Sequence, residues 1–258
     1  MNWEELYLLE LILVRMAGFV YLNPLLGRSN LPGIVKTGFA GVLSLFVFSY
    51  TAGQTAVTLP GSVLEFALRI LLELAMGFVL GFVMRLFFSV IQFGGEIIDA
   101  QMGMTMAQVY DASSQANFTV TGSLLNILLV LNFFAANGHY TLLRILTLSA
   151  DILPYGQGAL GENVAPYVVE LFFTCMVLAV KLGFPILAAE MLTEIGMGIL
   201  MKAIPQINAF VINIELKVIV GLLLLLVFLY PMNEFILLVE QEMLQSLEQA
   251  LGVLAGGG

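Results

Sequence analysis

Long apolar runs, separated by short clusters of Gly, Pro, amides and acids, make up nearly all of this 258-residue chain. A helix crossing a bilayer needs about 20 consecutive apolar residues. That ruler predicts about six spans, near residues 6–26, 34–50, 64–91, 120–136, 167–189 and 210–230. A shorter apolar stretch, 142–152, lies between Asn137-Gly138 and Pro154-Tyr155-Gly156. It is too short to cross alone and is expected to be re-entrant or docked on neighbouring helices. Gly27-Arg28-Ser29-Asn30-Leu31-Pro32-Gly33 reads as a tight turn between the first two spans, because its Gly and Pro end one helix and start the next. The pattern predicts an all-α, multi-pass membrane protein of helical hairpins, with no internal repeat and no soluble domain.

Two interruptions break the apolar pattern. The first, residues 94–123, holds Gly95, Glu96, Asp99, Gln101 and Gly103, then methionines at alternate positions (Met102, Met104, Met106) and the small polar run around Asp111, Ser113, Ser114, Gln115 and Asn117. Irregular backbone at membrane depth must lie against protein or line a watery cavity, since unpaired amides cost several kcal/mol in hydrocarbon. A gate or pathway is therefore expected there rather than a plain anchor. The second runs from Glu190 through Gly196 and Gly198 to Lys202, Pro205, Gln206 and Asn208. Pro205 forces a helix boundary or kink, and a hairpin tip is the simplest structure. After Pro231, residues Phe235, Ile236, Val239, Met243, Leu247, Leu251 and Leu254 recur at helical spacing opposite Glu234, Gln241, Gln245 and Glu248. This acidic amphipathic helix has the wrong sign for anionic lipid and is expected to dock on a neighbouring protein subunit.

Composition agrees with the pattern: 60% of residues are hydrophobic, only 10% are charged, and mean hydropathy is +1.01, against about 25% charged in soluble domains. A formal charge of −9 with nine Lys and Arg argues against a nucleic-acid surface. The first apolar run follows Glu4 and Glu5 and is expected to be a retained span rather than a removed signal. Arg28 and Lys36 mark the first connection as the best cytoplasmic candidate, which puts the amino terminus outside. A lone cysteine, Cys175, excludes an internal disulfide and reads as packing.

Charges inside apolar runs need partners, since one at a helix centre costs about 2.5–3.5 kcal/mol even on insertion scales. Glu65, Arg69 and Glu73 are spaced four apart and are expected to neutralise one another along one helix face. Arg15, Arg85, Lys181 and Lys217 have no local acid at ideal spacing, apart from Glu215 close to Lys217, and each is expected to pair across helices, snorkel or sit at a membrane edge. Catalytic signatures are missing: one histidine, His139, makes neither a two-histidine metal site nor a His-Glu-x-x-His motif, and there is no phosphate loop or Gly-x-Ser-x-Gly elbow. His139 is expected at a wet helix end. Asp99 and Asp111, set among Gly, Ser, Gln and Met, suit a loop better than a desolvated catalytic pair. No catalytic, metal-binding or cofactor-binding residue is expected. Gly- and Pro-broken helices with buried charges also suit a small secondary transporter, but the inverted repeats that would favour one are absent.

Taken in order, Asn23-Pro24, Pro32-Gly33, Lys36, Gly95-x-x-x-Asp99-x-Gln101-x-Gly103, Ala107, Asp111, Lys202-x-x-Pro205-Gln206-x-Asn208-x-Phe210 and Leu216-Lys217 resemble the FliR/SctT family of type III secretion export-gate subunits across nearly the whole chain. Two positions depart from the family pattern: Ala112 follows Asp111 where proline is frequent, and Glu215 precedes the Leu-Lys pair where proline or a small residue is common. The resemblance implies a FliP-like helical part at about residues 1–160 and a FliQ-like hairpin with the carboxy-terminal helix at about 161–258. It also implies assembly with FliP and FliQ, FlhB at the cytoplasmic entrance, a bacterial inner-membrane location in the flagellar basal body or an injectisome, and passage of unfolded export substrates. The family's plug loop maps to about 106–119, which holds Met106, Gln108, Asp111, Ser113, Ser114, Gln115 and Asn117; methionine is flexible and polarizable, so Met102, Met104 and Met106 are expected either to help seal the closure or simply to fill a core.

Overall fold

In the computed structural model, residues 2–28, 31–51, 57–104, 119–156, 161–203 and 209–256 are described. They form α1 (Trp3–Leu22), α2 (Gly33–Thr51), α3 (Val63–Gln101), α4 (Val120–Ala135), α5 (Gly138–Ile152), α6 (Val164–Ala203) and α7 (Ala209–Leu254), with no strand among them. The all-α architecture expected from the hydropathy is present. By length and composition α2, α3, α6 and α7 can each cross a membrane, and α4 with α5, bent by 71°, adds a fifth span if the pair is one. The sixth expected span, α1, is not among them: Glu4, Glu5, Glu10 and Arg15 interrupt it, and Arg15 finds its partners inside the protein.

Three helices outrun their apolar cores. The α3 helix continues to Gln101, so residues 94–101 are helical rather than loop, and α6 continues through the expected break at Glu190–Gly198 to Ala203. The α7 helix passes Pro231 without ending. Glycines and prolines that punctuate soluble helices are tolerated here, because packed neighbours and local backbone adjustment re-satisfy the freed groups.

The chain divides into two compact units. The first comprises residues 1–87, 133–173 and 241–258. In it α1 and α3 touch backbone to backbone: a Cβ placed on Gly77 would collide with the Arg15 carbonyl oxygen, and one on Gly81 would lie 2.8 Å from that of Phe19. Gly77-x-x-x-Gly81 is the small-residue spacing that lets membrane helices approach this closely. Asn23 closes α1, its Oδ1 accepting from the Leu25 and Leu26 amides at 2.8 and 3.1 Å, which fixes the turn into Pro24. The Tyr167 hydroxyl donates to the Ser246 carbonyl at 2.7 Å, bringing the end of α7 onto the start of α6.

Burial within the chain corrects the reading of the acidic carboxy-terminal helix. Ile236, Val239, Met243 and Leu247 are at most 1% exposed within the chain itself, so its apolar face is already covered and is not free for a neighbouring subunit. Periodicity shows that a face is buried and not what buries it. Glu234 and Glu248 are exposed, as expected.

The first unit also holds a polar centre. Arg15, fully buried, donates from Nε to Glu73 Oε2 at 2.6 Å, from Nη1 to the Ser149 carbonyl at 3.0 Å and from Nη2 to the Leu153 carbonyl at 3.0 Å. Its guanidinium lies 4.0 Å above the centre of the Tyr155 ring, a cation–π contact. Glu73 Oε1 accepts from the Gly156 amide at 2.9 Å. The expected four-spaced ladder is therefore split. Arg69 pairs with Glu65 and donates to the Thr58 carbonyl at 2.7 Å, whereas Glu73 turns inward to Arg15. His139 lies at the start of α5, the helix end expected for it, half-buried beside the rings of Phe134 and Tyr140 with Nδ1 buried and lacking a partner.

Candidate functional site: the base of the polar loop

The second unit comprises residues 88–132 and 174–240, and it holds the two stems of the polar loop. On the incoming side α3 ends in a left-handed cap. The Gly103 amide donates to the Ala100 carbonyl at 3.2 Å and the Met104 amide to the Asp99 carbonyl at 3.0 Å, with Gly103 at φ +75°. This pair of bonds is the Schellman arrangement, and it needs a residue that accepts positive φ just past the helix.

On the outgoing side α4 begins at Val120, and the Thr121 amide donates to both Asp99 carboxylate oxygens, at 3.3 and 3.1 Å. Asp99 is fully buried. Its carboxylate satisfies an orphan amide at the positive end of the α4 dipole. Gly95 brings the two helices together, since a Cβ there would collide with the Gly122 Cα. Each conspicuous residue of Gly95-x-x-x-Asp99-x-x-x-Gly103 thus acts mechanically: Gly95 permits close approach, Asp99 clamps the two stems, and Gly103 reverses the chain. Gln101 is half-buried.

The methionines differ. Met102 is fully buried, and its Cγ and Sδ press so closely on Gly221 of α7 that a Cβ there would overlap them. Met104 is half-exposed. Met106, Gln108, Asp111, Ser113, Ser114, Gln115 and Asn117, and likewise Pro205, Gln206 and Asn208, lie outside the described residues. Lys202 is exposed in the last turn of α6, where a cation complements the helix dipole. Lys217 pairs across helices, one of the arrangements expected of it, with Glu194 as its partner.

Sequence reasoning overlooks Glu190. It lies on α6, is 0% exposed, and neither carboxylate oxygen has a hydrogen-bond partner. Its Oε1 is 3.1 Å from the place of a Gly221 Cβ, beside Met102. Its one signal in the sequence is an acid within the extended apolar pattern of α6. Among the described residues no group of three or more His, Cys, Asp or Glu has the arrangement of a metal site.

Long apolar helices that carry buried acids, with the two ends flanking a polar interruption clamped together, define a polytopic membrane protein. The chain belongs to the family described as Bacterial export proteins, family 1, which it matches over residues 6–243. It is 26% identical to the flagellar biosynthetic protein FliR of Bacillus subtilis, covering 89% of this chain and 91% of that one. Against FliR of Escherichia coli K12 the identity is 26%, over 87% and 84% of the two chains. Against the Yop proteins translocation protein T of Yersinia pestis it is 29%, over 84% and 83%.

Proposed function

We propose that this chain is an export-gate subunit of a flagellar type III secretion apparatus in the bacterial inner membrane, and that about residues 106–119 obstruct the pore through which unfolded substrates pass. The observation that carries the reading is the clamp at the base of that segment. Asp99, Gly95 and Gly103 hold the two helix ends that flank the polar segment close together among apolar helices. Small and amide side chains such as Ser113, Ser114, Gln115 and Asn117 can reseal behind many different substrates without binding any one tightly. The subunit catalyses no reaction of its own; energy comes from elsewhere in the apparatus.

Proteins of the FliP and FliQ kinds are the proposed neighbours, with one of the FlhB kind at the cytoplasmic side. The exposed apolar faces of α2 and of the α6–α7 region, including Ile34, Val42, Leu192, Ile199, Leu226 and Val227, suit burial against such helices or lipid. Only 17% of the most apolar stretch of α2 and 22% of that of α7 is buried within the chain, against 61% for α3. Residues 1–160 form the FliP-like part and 161–258 the FliQ-like part in this reading. The injectisome counterpart is the second reading, favoured by the likeness to the Yersinia translocation protein. Co-expression with the FliP- and FliQ-type proteins of the same organism tests the proposal: a stable hetero-oligomer is expected, and recovery of a lone substrate-binding monomer refutes it.

A further inference from the structure

An acid buried among apolar helices with no hydrogen-bond partner at either oxygen cannot remain an anion there cheaply, because a buried unpaired charge costs far more than a buried neutral acid. Glu190 is in that position, and the charges around it are already committed. From α7, Lys217 is bound to Glu194, the acid one turn further along α6. Glu190 Oε1 and the Met102 thioether meet at Gly221, where a Cβ would lie 3.1 Å from the first and overlap the second, and neither Gly221 nor Met102 carries a charge that could balance a carboxylate.

We propose that Glu190 is a proton-binding site, neutral in the closed protein, whose proton latches the Met102 turn at the base of the polar loop. Met102 follows the last residue of α3 and precedes Gly103, where the chain reverses. A neutral carboxyl lets the Met102 side chain and Gly221 pack dry against it. Removing the proton turns the same carboxyl into an anion that seeks water or competes with Glu194 for Lys217, and either movement unseats Met102 and loosens the stem. The latch rests on the gate reading given above; the proton site does not.

The test uses the chain assembled with the partners that purify with it. Infrared spectra of the wild type and Glu190→Gln at neutral pH are subtracted, and the wild type should show one additional carbonyl band of a protonated carboxylic acid. Glu240, also buried with an unpartnered oxygen, is controlled by Glu240→Gln, which should leave that difference in place. In planar bilayers the ion leak of the wild type should rise several-fold from neutral to alkaline buffer, while that of Glu190→Gln stays low and flat. No band difference overturns the proton site. A band with a leak that ignores pH overturns the latch. If instead removing residues 108–117 produces no leak, the gate reading fails and the infrared result still decides the site.

Discussion

Glu73 and Glu190 are both carboxylates withdrawn from solvent on long apolar helices, and their surroundings are opposite. Glu73 meets a guanidinium at one oxygen and a backbone amide at the other. Its partner Arg15 is itself satisfied by two carbonyls from the end of α5 and the following turn. Such a centre ties α1, α3 and the α5 end in one register. Glu190 meets none of this. The first arrangement is built to stay as it is; the second has a cheap way to change, through one proton. A protein that must be rigid in its frame and yielding at its gate benefits from having both.

The largest expected effect comes from breaking the satisfied centre. Arg15→Met leaves Glu73 buried and uncompensated, which should cost about 3–5 kcal/mol and appear as loss of folded, detergent-stable protein. The double variant Arg15→Met, Glu73→Met should recover most of that loss, because removing both charges leaves no orphan. Equal instability of single and double variants would show that shape rather than charge pairing holds the three elements.

Next in size are changes at the loop base. Asp99→Ala removes the acceptor for the first turn of α4 and should cost about 1–2 kcal/mol, read as a lower melting temperature, with Asp99→Asn closer to wild type. Gly103→Ala forces a side chain into the left-handed region and should cost about 1–2 kcal/mol. Both should raise leak through the assembled complex more than equally destabilising changes placed away from the loop base. The smallest effect belongs to Glu248→Lys. That residue is exposed on the outer face of α7, and reversal there should move stability by under about 1 kcal/mol.

Much of this is legible in the sequence, unevenly. The helices follow from apolar run length, and the Gly95, Asp99, Gly103 spacing marks the loop base without revealing its mechanics. Arg15 is expected to pair across helices, snorkel or sit at a membrane edge, and the first of these holds. Which partner is hidden, because Glu73 sits four residues from Arg69 and local spacing favours that pair; only the fold brings α1 against α3. Glu190 is hidden for a different reason. Thr193, Gly196 and Gly198 read as helix breakers on propensities learned from water, and a residue placed in a supposed tip is not suspected of being buried. The carboxy-terminal helix shows its apolar face plainly, but a face carries no record of what covers it.

Closure by the polar loop is tested most directly by deleting residues 108–117 from the chain, assembling it with its partners and recording conductance across a planar bilayer. Because Asp99, Gly95 and Gly103 remain to hold the stems, the complex should assemble in normal yield and pass ions that the wild type excludes. An assembled deletion variant that is as tight as the wild type would contradict it.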